Sequence, residues 1–295
     1  MSVREVRWER MFWHELEEAA AACPVAYFPY GMCEPHGPQN ALGLDGLKAH
    51  AILVQTAREH GGIVAPLDLW HVHELGGYAV WAHEQIGQSR PWLTAVPPWH
   101  HFKTVCYHLR AAEVLGLHAV IFVTGHYGPN WQDLKTVLER AQPQLRLQVY
   151  GLPDFEANKP GFPGDGAGGD HAGKVETSLL WALEPECTDV GRIPDDPEFP
   201  LFAMGRDASQ ADLEAGQKMV ADEVAWLGRK KEELLAAYDA HRPSKLRTFD
   251  DVEEFWRDQI KPLLPQFESM RNFAGDRQPP ADSQWRANFE TGNWG

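Results

Sequence analysis

Cysteine is scarce in this chain. The four residues Cys23, Cys33, Cys106 and Cys187 show no Cys-x-x-Cys spacing. They read as scattered reduced thiols rather than as a disulfide framework. Basic charge is short as well: 27 Lys and Arg stand against 42 Asp and Glu, a formal net charge of -15. A nucleic-acid or anionic-membrane partner would want a basic face, so both are expected to be absent. No apolar run approaches the ~20 residues that span a membrane. The N-terminus is charged, and the alanines at 19–22 follow Glu15, Glu17 and Glu18, which is a helix pattern and not the apolar core of a signal peptide. Internal repeats and low-complexity tracts are missing too. A cytoplasmic enzyme is the default expectation.

What is present is ample apolar material, 43% of 295 residues. That fills the core of one large α/β domain or of a domain with an appendage. The expected division is a domain over 1–240 and a helical extension with a polar tail over 241–295.

The elements follow from periodicity. Residues 8–22 read as a helix ending near Pro24. Val25-Ala-Tyr-Phe-Pro-Tyr30 reads as a buried strand, and 46–58 as a helix with apolar positions 47, 51, 54 and 57. A short strand follows at 63–66. Residues 67–100 are irregular and rich in His, Trp, Pro and Gly, as in a binding loop. A helix over 102–115 leads to the clearest strand, Leu117–Thr124, whose unbroken apolar run suggests a central parallel strand covered on both faces. Helix 131–141, strand 145–151, helix 174–184, a long amphipathic helix over 211–240 and a helix over 249–263 complete the reading. The repeated strand–loop–helix order predicts an α/β fold, a mostly parallel sheet between two helical layers. Functional loops then belong at the carboxyl ends of the strands.

Two loops follow strands in that way and carry metal-type ligands. In the first, Glu34, His36 and Asp45 lie among glycines and prolines that preclude a regular helix. Read alone, this segment is equally a polar turn in which Asp45 caps the next helix. In the second, Gly125-His-Tyr-Gly-Pro-Asn130 follows the clearest strand. Further convergent groups are His71, His73 and Glu74, and Asp170, His171 and Glu176. Mixed carboxylate and imidazole donors suit Zn²⁺, Mn²⁺ or Fe²⁺, and a two-metal site needs about five or six such ligands with a bridging carboxylate, for which Asp45 is the candidate. His100 and His101 read as capping or surface groups. His71 and His73 read as pocket-lining or solvated.

The combination of Glu34-Pro-His-Gly-Pro38 with Gly43-Leu-Asp45, of Thr-Gly-His126 after an apolar strand, and of Asp170-His-Ala-Gly-x2-Glu-Thr-Ser178 resembles the creatininase (creatinine amidohydrolase) family. The resemblance covers roughly residues 25–195. It implies a three-layer α/β/α fold, a homo-oligomer, commonly a hexamer, and a binuclear metal centre that hydrolyses C–N bonds of small cyclic or linear amides. It also implies metal-ligand positions at Glu34, His36, Asp45 and His126, with Asp45 bridging. His171 corresponds to the family's proton-transfer histidine, and Glu176 lies in or next to the metal site. The expected chemistry has two divalent ions lower the pKa of a bridging water, whose hydroxide attacks the amide carbonyl while His171 protonates the leaving nitrogen. Asp170 would orient that imidazole, and Tyr127, His73 and Trp81 are the expected substrate contacts.

Two departures carry weight. Creatininase has a carboxylate two positions after the motif histidine, where this chain has Gly128, so Glu176 is expected as fifth ligand. Residues 150–170 hold no tryptophan to close the pocket, which argues against creatinine itself as substrate. The weaker alternatives are a degenerate member that binds without turnover, motivated by Gly128, and a glycoside hydrolase using Glu34 and Glu176 as its carboxylate pair.

Overall fold

The structure, a computed structural model, describes residues 4–73, 94–128, 130–158, 170–197 and 201–271. Its centre is the pair β1 (Val25–Tyr30) and β5 (Ala119–Thr124), in parallel register from Val25 opposite Ala119 to Tyr30 opposite Thr124. All twelve residues are buried. β2 (Ile63–Val64) pairs with the outer side of β1 and β6 (Gln148–Pro153) with the outer side of β5, giving the order β2-β1-β5-β6, parallel throughout. A second small parallel pair, β3 (His71–Val72) with β4 (Ala95–Val96), lies apart from it.

Although β1 and β5 are buried on both faces, their residues still divide by alternation. Val25, Tyr27, Ile121 and Val123 pack with Ile52 and Leu53 of α2 (Leu44–His60), Leu179 of α5 (Lys174–Leu183) and Val224 of α6 (Leu213–Ala236). Phe28, Val120 and Phe122 pack on the other face with Phe102 and Leu109 of α3 (Pro98–Leu115) and Leu134 and Leu138 of α4 (Asn130–Ala141). The result is the expected three-layer α/β/α arrangement. Among the described residues no helix is long and apolar enough to cross a membrane.

Element boundaries moved where proline or packing intervened. The first helix splits into a 3₁₀ turn, Trp8–Arg10, and α1 (Trp13–Ala22). α3 begins at Pro98, a full turn earlier than expected, because proline is well suited to a first helical turn. That turn swings His101 inward, where it is buried, and not outward as a surface or capping group. The segment expected as one helix over 249–263 is α7 (Phe249–Phe255), a π-helical turn to Ile260 and a 3₁₀ stretch, Lys261–Gln266, that contains Pro262 and Pro265. Prolines cannot donate the helical hydrogen bond, so the ladder changes pitch there. Val252, Trp256, Ile260 and Leu264 of this segment share the core that contains Phe102 and Phe122. The polar tail expected after it lies outside the described residues.

Candidate metal centre

The carboxyl ends of β1 and β5 meet the start of α2. Gly31 N, just past β1, donates to Asp68 O, and Gly125 N, just past β5, donates to Tyr30 O. Neither glycine has room for a side chain. A Cβ on Gly31 would stand 2.1 Å from Gly46 N, and one on Gly125 would stand 2.0 Å from Asp45 O. The strand ends therefore press directly on the backbone of the first turn of α2, which carries Asp45.

Asp45 is not that helix's cap. Gly43 occupies the N-cap position without a side-chain hydrogen bond, and the Asp45 carboxylate is left for other partners. Its Oδ1 lies 3.1 Å from His36 Nε2, and its Oδ2 lies 3.3 Å from His126 Nδ1. Glu34 Oε1 is 2.9 Å from His126 Nδ1 and 3.8 Å from His36 Nε2. Glu176 Oε2 reaches within 4.0 Å of His36 Nε2. All five side chains are buried. Donor atoms of Glu34, Asp45 and His126 lie within 4.8 Å of one another, as do those of His36, Asp45 and Glu176. A third such group joins Glu34, His36 and His171.

The donor set fits a cation on two further grounds. Glu34 Oε1, His36 Nε2 and Asp45 Oδ2 are buried yet make no hydrogen bond among the described residues. Close approach without hydrogen-bond alignment is what donors aimed at a common cation show, since a buried polar atom otherwise finds a partner. The tautomer of His36 is also fixed. Its Nδ1 stands 3.0 Å from Glu34 O, a carbonyl that can only accept, so Nδ1 carries the proton and the neutral ring turns the Nε2 lone pair inward.

The electrostatics agree. Burial disfavours charge on His36, but Asp45, Glu34 and Glu176 outweigh it and push the imidazole up to about 9. Burial likewise opposes ionisation of Glu34 and Asp45. His126 and His171 hold Glu34 well below the usual carboxylate range, and His36 does the same for Asp45. Three carboxylates around a buried imidazole create a demand for positive charge that a proton or a divalent cation meets.

The third motif closes the centre. Gln39 Nε2 donates to Ala172 O and Asn40 Nδ2 to Thr177 Oγ1, tying the first loop to the start of α5. His171 stacks on His36 with centroids 4.6 Å apart and remains 30% exposed at its side chain. Its Nε2 stands 3.0 Å from Pro35 O, which assigns that nitrogen the proton and leaves Nδ1, 3.8 Å from Glu34 Oε1, facing the centre. Asp170 Oδ2 accepts from Glu176 N at 2.7 Å and so satisfies a backbone donor in the first turn of α5.

The expected substrate contacts fare unevenly. His73 is buried with Nε2 3.3 Å from Glu34 Oε2. His71, also expected as a loop residue, is buried with its ring 4.1 Å from that of His101. Tyr127 turns its ring under the ammonium of Lys48, 3.6 Å from the centroid, and packs edge-on against Phe155. Glu74 and Trp81 lie outside the described residues.

Two residues went unsingled in the sequence. Lys48, fully buried, donates from Nζ to Glu176 Oε1 at 2.7 Å and lies 3.3 Å from Asp154 Oδ2. Asp154 follows β6 immediately, at the strand end where functional groups are expected. Burial raises the Asp154 carboxyl to about 6 against the pull of Lys48.

The comparisons converge on one family. The sequence model described as creatininase, creatinine amidohydrolase, matches residues 9–230. The chain belongs to the creatininase family. The family's members are hydrolases of C–N bonds. A creatinine amidohydrolase of Pseudomonas putida is 27% identical over 219 residues, covering 68% of this chain and 79% of that protein. Among solved structures, a manganese creatininase shares the fold with a TM-score of 0.63 at 23% identity, over 78% of this chain and 99% of the other. A glutamate-to-glutamine mutant creatininase of Zn-Zn type does so with 0.61 at 23%, over the same shares.

Proposed function

We propose that this creatininase-family chain hydrolyses a C–N bond of a small cyclic or linear amide at a centre of two divalent ions bridged by Asp45. The observation that carries the reading is the pair of Asp45 oxygens, each facing a different imidazole, 3.1 Å from His36 and 3.3 Å from His126. Glu34, Asp45 and His126 would hold one ion, and His36, Asp45 and Glu176 the other. The donor chemistry suits Zn²⁺ or Mn²⁺, with Fe²⁺ also compatible. When bound, such ions supply Lewis acidity to a carbonyl oxygen and acidify water.

The chain's own residues supply the proton chemistry and the alignment. His171 takes a proton on Nδ1 from the attacking water and returns it to the leaving nitrogen, so the amide becomes a carboxylic acid and an amine, which exchange the acid proton to leave as carboxylate and ammonium. Its Nε2 contact with Pro35 O keeps the correct nitrogen inward. His73 steadies Glu34 through Oε2 and leaves Oε1 toward the centre. The glycosidase alternative has no support here, because Glu34 and Glu176 stand against imidazoles and Lys48 and do not form an isolated carboxylate pair. A homo-oligomer, as the family resemblance implies, and a cytoplasmic location, the default for a chain with scattered thiols, complete the reading.

Turnover of a panel of cyclic and linear amides, assayed with Mn²⁺ or Zn²⁺ and after chelation, tests it. Metal-dependent ring opening or amine release is expected. Activity that survives the chelator, or that appears only on glycosides, contradicts it.

A further inference from the structure

α2 delivers two side chains to the centre. Asp45 is one, and Lys48, one turn later on the same face, is the other. Lys48 is fully buried, and its contacts are with Glu176 Oε1, Asp154 Oδ2 and the Tyr127 ring. An ammonium has three donors and tolerates burial only when they are engaged. Burial disfavours its charge, and Asp154 and Glu176 more than restore it.

Glu176 is the one carboxylate that the second group of donors does not share with the first. Its two oxygens are gripped from opposite sides. Oε1 accepts from Lys48 Nζ at 2.7 Å and Oε2 accepts from Ala172 N at 2.8 Å. Ala172 itself sits at a φ of 49°, an uncommon backbone for a residue with a Cβ, and this conformation is held at the site where its N–H meets Glu176. With Gly128 at the family's carboxylate position, the second ion depends on Glu176 being presented correctly.

We propose that Lys48 is a positioning residue for the second metal position. It fixes the carboxylate of Glu176 so that the second ion binds, and the first ion does not need it. The inference rests on the binuclear reading above. An ammonium also repels a dication, which works against this role. Asp154 beside the same nitrogen offsets that field, so orientation of Glu176 is the larger effect.

The test is a Mn²⁺ titration of the full-length chain, stripped of metal, followed by electron paramagnetic resonance and metal analysis. Wild type, Lys48→Met and Lys48→Met/Asp154→Asn are compared. The double variant removes one positive and one negative group together, so it retains the net charge of the cluster and remains the folded comparison where the single variant, with a further buried carboxylate uncompensated, is the more destabilised. Wild type is expected to take up two ions and show a coupled-pair spectrum. The folded variant is expected to bind the first ion normally and the second roughly 10–100-fold more weakly, with an isolated-ion spectrum. A folded variant that binds both ions as tightly as wild type, or more tightly, overturns the role of Lys48. A wild-type chain that stops at one ion overturns the binuclear reading itself, and that outcome is visible before any variant is made.

Discussion

Asp45 Oδ1 stands 3.1 Å from His36 Nε2, with both side chains buried and no hydrogen-bond partner for that nitrogen among the described residues. The second Asp45 oxygen faces His126 across 3.3 Å. A carboxylate in the first turn of a helix, held near the positive end of the helix dipole, remains ionised and directed. The two strand-end glycines set where it points.

Replacing His171 separates proton transfer from metal binding. His171→Ala is expected to lower kcat by roughly 10²–10⁴-fold, the range for loss of a general acid–base group, with metal content unchanged. Parallel kinetics and elemental analysis check it. Loss of metal in this variant would place His171 among the ligands, as the grouping of Glu34, His36 and His171 also allows.

Gly125→Ala tests the contact between β5 and α2. The new Cβ would lie 2.0 Å from Asp45 O, a backbone atom that cannot rotate away. Overpacking of this kind is expected to remove about 1–3 kcal/mol of stability. The shifted Asp45 should also weaken metal uptake. Denaturant unfolding and metal titration report the two effects. A variant with wild-type stability and metal affinity would show that the strand end does not position the carboxylate.

A histidine away from the centre predicts acid sensitivity. Tyr30 Oη and His108 Nδ1 lie 2.6 Å apart in a hydrogen bond among buried rings, and burial raises the phenol well above its usual range. Burial lowers His108 to about 4, and His101, facing the same tyrosine ring, is pushed down as well. The folded value is depressed, so the stability is complete above the ordinary histidine pKa and is lost as pH falls toward 4. In that window the unfolded chain takes up a proton that the native chain refuses, removing about 2–3 kcal/mol. Urea unfolding of wild type and His108→Gln, at about pH 7 and about pH 4.5, measures it. An identical loss in both proteins would contradict the assignment.

Much of this arrangement was legible in the sequence for definite reasons. β1 runs over the predicted residues because an unbroken apolar stretch between Pro24 and Gly31 has no other stable place in an α/β protein. Glu34, His36, Asp45 and His126 were readable because their spacing among glycines follows strand ends. Lys48 was not, since a lysine on an amphipathic helix ordinarily faces water, and its partner Glu176 lies 128 positions away. Asp154 was hidden for the same reason: long-range packing around one ammonium decides where it faces. His101 was misplaced by the helix start, since one extra turn from Pro98 rotates it from surface to core.

The central claim, two ions sharing Asp45, is tested most directly by counting metal in the purified full-length chain. The account predicts two ions per chain in wild type, one in Glu34→Ala, which leaves the group of His36, Asp45 and Glu176 intact, and none in Asp45→Ala, which removes the carboxylate shared by both proposed positions. Full occupancy in Glu34→Ala, or a tightly bound ion surviving in Asp45→Ala, would contradict it.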